Sequence, residues 1–148
     1  MPLKLEIITG ERLLYEDDGI DEVIAPGSLG QLGVLPHHAA LFTSLQAGEL
    51  IVRKDNVDQP FFLSGGFLEV KDDVVTVLAD AAERGDDIDL ERAEAARERA
   101  EQHLRDESSY DRVRAEGALR RSLVRLKILE RRRRRGRADL PSGRGGAE

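Results

Sequence analysis

The chain has 148 residues, 40% of them hydrophobic and 35% charged, which allows one ordinary domain or two small ones around a modest core. It contains no cysteine, which excludes a disulfide framework, a thiolate metal site and a cysteine nucleophile. The net charge of −6 is unevenly spread: residues 1–85 carry 15 acidic and 6 basic side chains and residues 131–148 carry 2 and 7, so an acidic body ends in a basic tail.

From Leu3 to about Asp80 the pattern predicts short strands. Leu3, Leu5 and Ile7 alternate with Lys4 and Glu6, and Leu50-Ile51-Val52, Phe61-Phe62-Leu63 and Val74-Val75-Thr76-Val77-Leu78 are β-branched or aromatic runs. Turn residues punctuate them at Asp17-Asp18-Gly19, Pro26-Gly27, Ala47-Gly48, Asp55-Asn56, Ser64-Gly65-Gly66 and Lys71-Asp72-Asp73. That spacing suits antiparallel hairpins and predicts a β-sandwich over 1–85.

After Gly85 the composition turns to Ala, Glu, Arg and Leu, and the period becomes helical. Asp89 stands at an N-cap position, and Leu90, Ala93, Ala96 or Arg97, Ala100 and Leu104 share one face of a first helix. A polar connection from Arg105 to Ser109 follows, with Ser108 and Asp111 in a variant capping box. Val113, Ala115, Leu119, Ser122, Leu123, Leu126 and Leu129 then continue at helical spacing. Two amphipathic helices joined by a short connection predict an antiparallel hairpin over 86–135. Residues 136–148, rich in Gly and Arg with little to pack, are expected to be a disordered tail. No stretch approaches the length of a membrane span, and Met1 to Gly10 alternates apolar and charged residues unlike a signal peptide. The expectation is a chain soluble by itself and intracellular.

Catalytic signatures are weak. The glycines at 27, 30 and 33 match neither G-x-G-x-x-G nor a loop ending in Lys-Ser/Thr, and read as tight turns. His37 and His38 are adjacent, so on extended backbone they point to opposite faces, and with His103 they form no zinc-binding spacing. Asp17-Asp18, Asp72-Asp73 and Asp86-Asp87 lie in turn signals, where Asp is favoured for backbone hydrogen bonds. No enzyme is expected, and no metal.

Five segments taken in order carry a resemblance. Pro26-Gly27-Ser28-Leu29-Gly30-Gln31-Leu32-Gly33-Val34-Leu35-Pro36-His37-His38-Ala39, Gly48-Glu49-Leu50, Ser64-Gly65-Gly66-Phe67-Leu68-Glu69-Val70 and Val77-Leu78-Ala79-Asp80, followed by Ile88-Asp89-Leu90-Glu91-Arg92-Ala93, resemble the epsilon subunit of F-type ATP synthases over about residues 3–130. His37 stands where many members of that family have glycine, and the arginine run Arg131 to Arg135 lies outside the pattern.

The resemblance implies a non-catalytic central-stalk subunit. Its sandwich would dock on the gamma subunit and the c-subunit ring and couple rotation to ATP synthesis, at the cytoplasmic face of the cell membrane. The loop Gln31 to Ala39 is a candidate contact, and which sandwich face meets gamma stays open. The hairpin is implied to switch between a folded form and an extended one that reaches the catalytic subunits and opposes ATP hydrolysis. No cofactor is required, but ATP is implied as a regulatory ligand. Ile88-Asp89-x-x-Arg92-Ala93 and the pair Arg121 and Arg125 resemble the family's ATP motif, with Asp89 and Glu83 as acceptors for an adenine amino group and Arg92 and Arg99 as further phosphate ligands. The plainer reading makes Asp89 only a cap and the arginines a solvated face. A nucleic-acid adapter using the arginine tail is the alternative from another class, opposed by the acidic body and the scarcity of aromatic residues.

Overall fold

The computed structural model describes residues 2–10, 12–105 and 109–139, with side chains of 109–111 and 135–139 left aside. Ten strands come first: β1 (Leu3–Thr9), β2 (Arg12–Ile20), β3 (Glu22–Gly27), β4 (Gly30–Val34), β5 (Leu41–Leu45), β6 (Gly48–Lys54), β7 (Val57–Leu63), β8 (Gly66–Lys71), β9 (Val74–Ala79) and β10 (Ala82–Arg84). A 3-10 turn, Gly85–Asp87, leads to helices α1 (Leu90–Arg105) and α2 (Ser109–Asp139).

The strands form one hydrogen-bonded path, β10-β7-β6-β3-β5-β8-β9-β1-β2, with β4 on β3. It folds into two layers because β3 and β5 share a single pair, Gly27 with Leu45, so the sheet turns a corner there. All pairings among the described strands are antiparallel except β1 with β9. Period-2 alternation sends Leu3, Leu5 and Ile7 of β1, Leu50 and Val52 of β6, Leu68 and Val70 of β8 and Val75 and Val77 of β9 into one core. The far edges are drawn together by Lys54 on β6, whose ammonium lies 3.1 Å from Asp17 of β2, and by Tyr15, whose ring centroid lies 4.8 Å from that of Phe61.

Two hairpins use the turn residues predicted for them. Asp55 and Asn56 (φ 52° and 62°) join β6 to β7, and Asp72 and Asp73 (φ 49° and 62°) join β8 to β9, the left-handed pair of a type I′ turn that Asn and Asp tolerate. Asp17-Asp18-Gly19, expected to be a turn, instead lies inside β2. Gly19 at φ 68° absorbs a register shift against β1, so the strand bends without ending.

The helices follow the predicted hairpin with three corrections. Leu90, Val113 and Leu123, expected on the inner face, are exposed; the seam is made by Ala93 and Ala100 against Ala115 and Ser122, with Ile128 and Leu129 reaching the sandwich. Small residues and a serine whose hydroxyl donates to Ala118 O (2.9 Å) let the helices approach closely, and the large aliphatics are spared for the sheet. α2 also continues to Asp139, four residues past the expected hairpin end at Arg135, because nothing in Arg131 to Arg135 breaks a helix. The disordered tail was expected from Gly136; Gly136 to Asp139 are helical, and residues 140–148 lie outside the described set. The capping box rests on Ser108 and on the Asp111 side chain, both of which also lie outside what is described.

Phe61, Phe62 and Leu63 are all fully buried although they alternate faces. Phe61 and Leu63 enter the sandwich core, whereas Phe62 points outward into a second cluster with Ile88, Ala93, Ile128 and Leu129. α2 therefore packs on the outer face of the β6–β7 layer. Gly85 permits that approach, since a Cβ there would sit 2.8 Å from Pro60 Cγ and 3.2 Å from Ile128 Cγ2.

Candidate functional site

The seam between α1 and α2 opens into a groove. Its sandwich-proximal part, about 500 Å³, is lined by Glu83 from β10, Asp87 and Ile88 from the turn, Asp89, Arg92 and Arg99 from the start and middle of α1, and Arg125 from α2. A tip-side part of about 680 Å³ shares Ala96 and Arg99 and adds Arg121. The six residues singled out in the sequence, Glu83, Asp89, Arg92, Arg99, Arg121 and Arg125, thus line adjoining parts of one groove.

Their surroundings differ. Asp89 caps α1: its Oδ1 accepts from the Arg92 backbone N–H (3.1 Å) and its carbonyl from Ala93 N–H (3.0 Å), which uses part of the carboxylate's capacity and fixes its place at the groove mouth. Arg125 is not on a solvated face. Its side chain is 22% exposed, its Nη2 donates to Glu83 Oε1 at 2.8 Å, and its guanidinium carbon lies 4.1 Å from the Phe62 ring centroid. Arg92, Arg99 and Arg121 have no ion-pair partner among the described residues, so positive charge in the groove is only partly compensated.

The arginine run is largely engaged with the protein itself. Arg131 ion-pairs with Glu49 of β6, Arg132 Nη1 donates to Gly85 O at 2.6 Å, and Arg134 pairs with Glu130 at 2.7 Å. These ties were missed in the sequence, where five consecutive arginines read only as charge. The signal that was present is the unbroken apolar run Phe61-Phe62-Leu63, which marks a strand buried on both faces and so requires a cover.

The histidines do not converge. His37 (φ 67°) donates its backbone N–H to Asp73 Oδ1 at 2.6 Å, and His38 Nδ1 lies 2.7 Å from Ala39 O. Among the described residues no group of three or more His, Cys, Asp or Glu is placed to hold a metal, and no helix is long and apolar enough to cross a membrane.

A two-layer sandwich followed by a helical hairpin is the domain order of a known protein family. The family model for the β-sandwich domain of the ATP synthase delta/epsilon chain matches residues 2–85, and the model for its long alpha-helix domain matches residues 86–130. The chain belongs to the ATP synthase delta/epsilon chain family. Relatives include an ATP synthase epsilon chain of Herpetosiphon aurantiacus, 51% identical over 136 residues (91% of this chain, 99% of the relative). An epsilon chain of Moorella thermoacetica is 51% identical over 127 residues, 84% of this chain and 94% of its own. Among solved structures, a chain of the Euglena gracilis mitochondrial ATP synthase OSCP/F1/c-ring assembly aligns with TM-score 0.72 at 24% identity, covering 80% of this chain and 76% of that one, a likeness of fold.

Proposed function

We propose that this chain is the non-catalytic central-stalk subunit of a proton-translocating ATP synthase, peripheral to the cytoplasmic face of the membrane, where it helps couple rotation to ATP synthesis. The supporting observation is an apolar row on the outer face of the layer that α2 leaves uncovered. Phe67 pairs with Leu78, Leu78 with Ile8 and Ile8 with Leu13 across β8, β9, β1 and β2, and Phe42 of β5 stacks on Phe67 with ring centroids 5.6 Å apart. Phe42 is 64% exposed, and Leu13, Phe67 and Leu78 are each about half exposed. Contiguous exposed aromatics and aliphatics on a small domain mark a partner surface. We assign this row to the gamma subunit, and the loop from Gln31 to Ala39, with Leu35 exposed, to the rim of the same contact or to the c-subunit ring.

The hairpin is the regulatory part. ATP in the groove would set its adenine against Glu83 and Asp89 and its phosphates against Arg92, Arg99, Arg121 and Arg125. That requires Arg125 to exchange Glu83 for phosphate, a swap between charge-assisted bonds of similar strength. ATP would favour the folded hairpin over the extended form that opposes hydrolysis at the catalytic subunits. Two measurements test the reading. Pull-down from membranes with the wild-type chain should recover gamma in a salt-stable complex, and Phe42→Ser/Phe67→Ser should lose it. Truncation after Gly85 should raise ATP hydrolysis by the assembled complex, most at low ATP; unchanged hydrolysis at every ATP concentration would refute the brake.

A further inference from the structure

The two halves of the interhelix groove differ in charge. The sandwich-proximal half mixes carboxylates (Glu83, Asp87, Asp89) with arginines, whereas the tip half is lined by Arg99 and His103 from α1 and Arg114 and Arg121 from α2, and by no carboxylate among the described residues. Arg99 and His103 are four residues apart and so share a face of α1; Arg114 and Arg121, seven apart, share a face of α2. The floor between them is alanine and Gly117. Gly117 is costly in a helix interior, yet a Cβ there would sit 3.3 Å from Arg121 Nη1, so its absence leaves room for the Arg121 guanidinium to fold over the helix.

Three other arginines of the hairpin pair with a carboxylate one turn away: Arg97 with Glu101, Arg112 with Glu116 and Arg134 with Glu130, each at i,i+4. None of the three arginines in the tip cleft has such a partner among the described residues. A concave site of about 680 Å³ with a small-residue floor, three arginines in its lining and no carboxylate among the described residues is suited to a linear polyanion, since planar guanidinium forks match successive phosphoryl oxygens.

We propose that the tip half of the groove is a polyphosphate site, in which Arg114 and His103 join Arg99 and Arg121 to hold a chain of two or more phosphates. This deepens the nucleotide reading, on which it rests for any base-bearing ligand, and gives that ligand a direction: base toward the sandwich, phosphates toward the hairpin tip. The carboxylates repel phosphate at one end and the cations attract it at the other. Arg114 and His103 then act as the residues that read phosphate-chain length.

Calorimetric titration of the full chain at fixed ionic strength, with sodium tripolyphosphate, orthophosphate, ATP and AMP, tests this. Tripolyphosphate should saturate in the millimolar range or below, and orthophosphate should bind at least about tenfold more weakly. Arg114→Ala and His103→Ala should each weaken tripolyphosphate and ATP by about five- to tenfold while leaving AMP unchanged. Arg105→Ala removes an equal charge from an exposed position outside the groove and should change nothing. The proposal is overturned if tripolyphosphate does not saturate, or if Arg105→Ala weakens it as much as Arg114→Ala does. It also falls if Arg114→Ala and His103→Ala leave the preference for ATP over AMP intact. The nucleotide reading is judged separately: tripolyphosphate binding as tight as ATP, insensitive to Glu83→Ala, would remove the nucleoside half and leave the polyphosphate site standing.

Discussion

Arg125 of α2 donates to Glu83 of β10 at 2.8 Å while its guanidinium carbon lies 4.1 Å from the Phe62 ring centroid, so one side chain ties a helix to both a strand end and the aromatic it covers. The bond is charge-assisted and the cation–π contact is largely out of water, which together are worth about 2 kcal/mol. Arg125→Ala should therefore speed amide exchange across α2 and lower the thermal midpoint, whereas Arg120→Ala, on the exposed face, should do neither. Equal effects from the two would show that the tie contributes nothing specific.

Gly66 opens β8 at φ 140°, and a Cβ at that position would run into the carbonyl oxygen of Leu78 on β9. Two penalties coincide there, an unfavourable backbone region and a backbone clash that no side-chain rotation relieves. Gly66→Ala should cost about 3 kcal/mol. Gly10→Ala is the comparison: φ is 57° but no atom lies within 4 Å, so only the backbone penalty of about 1 kcal/mol applies. Urea unfolding of both variants measures the difference, and similar losses would contradict the close β8–β9 approach.

Much of this fold was legible in the residues because local and tertiary preferences agree. Leu3, Leu5 and Ile7 alternate as a half-buried strand must, Asp55-Asn56 and Asp72-Asp73 suit left-handed turns, and Asp89 caps the helix it precedes. Reading failed where one residue served two constraints. Gly19 signals a turn but makes a bulge, because strand β1 continues beside it. Leu123 fits the helical period but is displaced from the seam by alanines and Ser122, whose small size sets the helix spacing. Of the groove, the spacing of Arg121 and Arg125 one turn apart was readable; that Arg125 is committed to Glu83 and Phe62 was not, since both partners lie more than forty residues away.

Tyr15 is held protonated beyond the usual phenol range, to about 12, chiefly by burial against the sandwich edge and secondarily by the Asp17 carboxylate to which it donates at 3.1 Å. Because the folded value lies above that of a free phenol, the native state retains a proton that the unfolded chain loses above about pH 10. Stability should be insensitive to Tyr15 below about pH 10 and fall as pH rises toward 12. In a Tyr110→Phe background the phenolate absorbance at high pH reports Tyr15 alone, and a midpoint near 10 would mean that the ring is not buried. Asp17 works in the opposite direction: the hydrogen bond from Lys54 holds its carboxyl below the usual range, so its contribution is present above about pH 4 and is lost on acidification.

Glu49 and Arg131 form a further tie between sandwich and hairpin, and they place the arginine run on the folded side of the proposed switch. The Glu49 side chain is only 12% exposed, and Arg131 meets it from the C-terminal half of α2, one residue before Arg132 reaches the Gly85 carbonyl. Extending the hairpin would break both contacts and leave a nearly buried carboxylate without its cation until water reached it. Glu49→Gln should loosen the folded form by about 1–3 kcal/mol. Two readouts follow: faster amide exchange over residues 125–134 in the isolated chain, and stronger inhibition of ATP hydrolysis in the assembled complex when ATP is scarce. Arg131→Gln should behave alike, and the double variant should lose little more than either single one, since one interaction can be removed only once. Additive losses, or hydrolysis unaffected by a hairpin shown to be loosened, would separate this pair from the brake and leave it a purely structural contact.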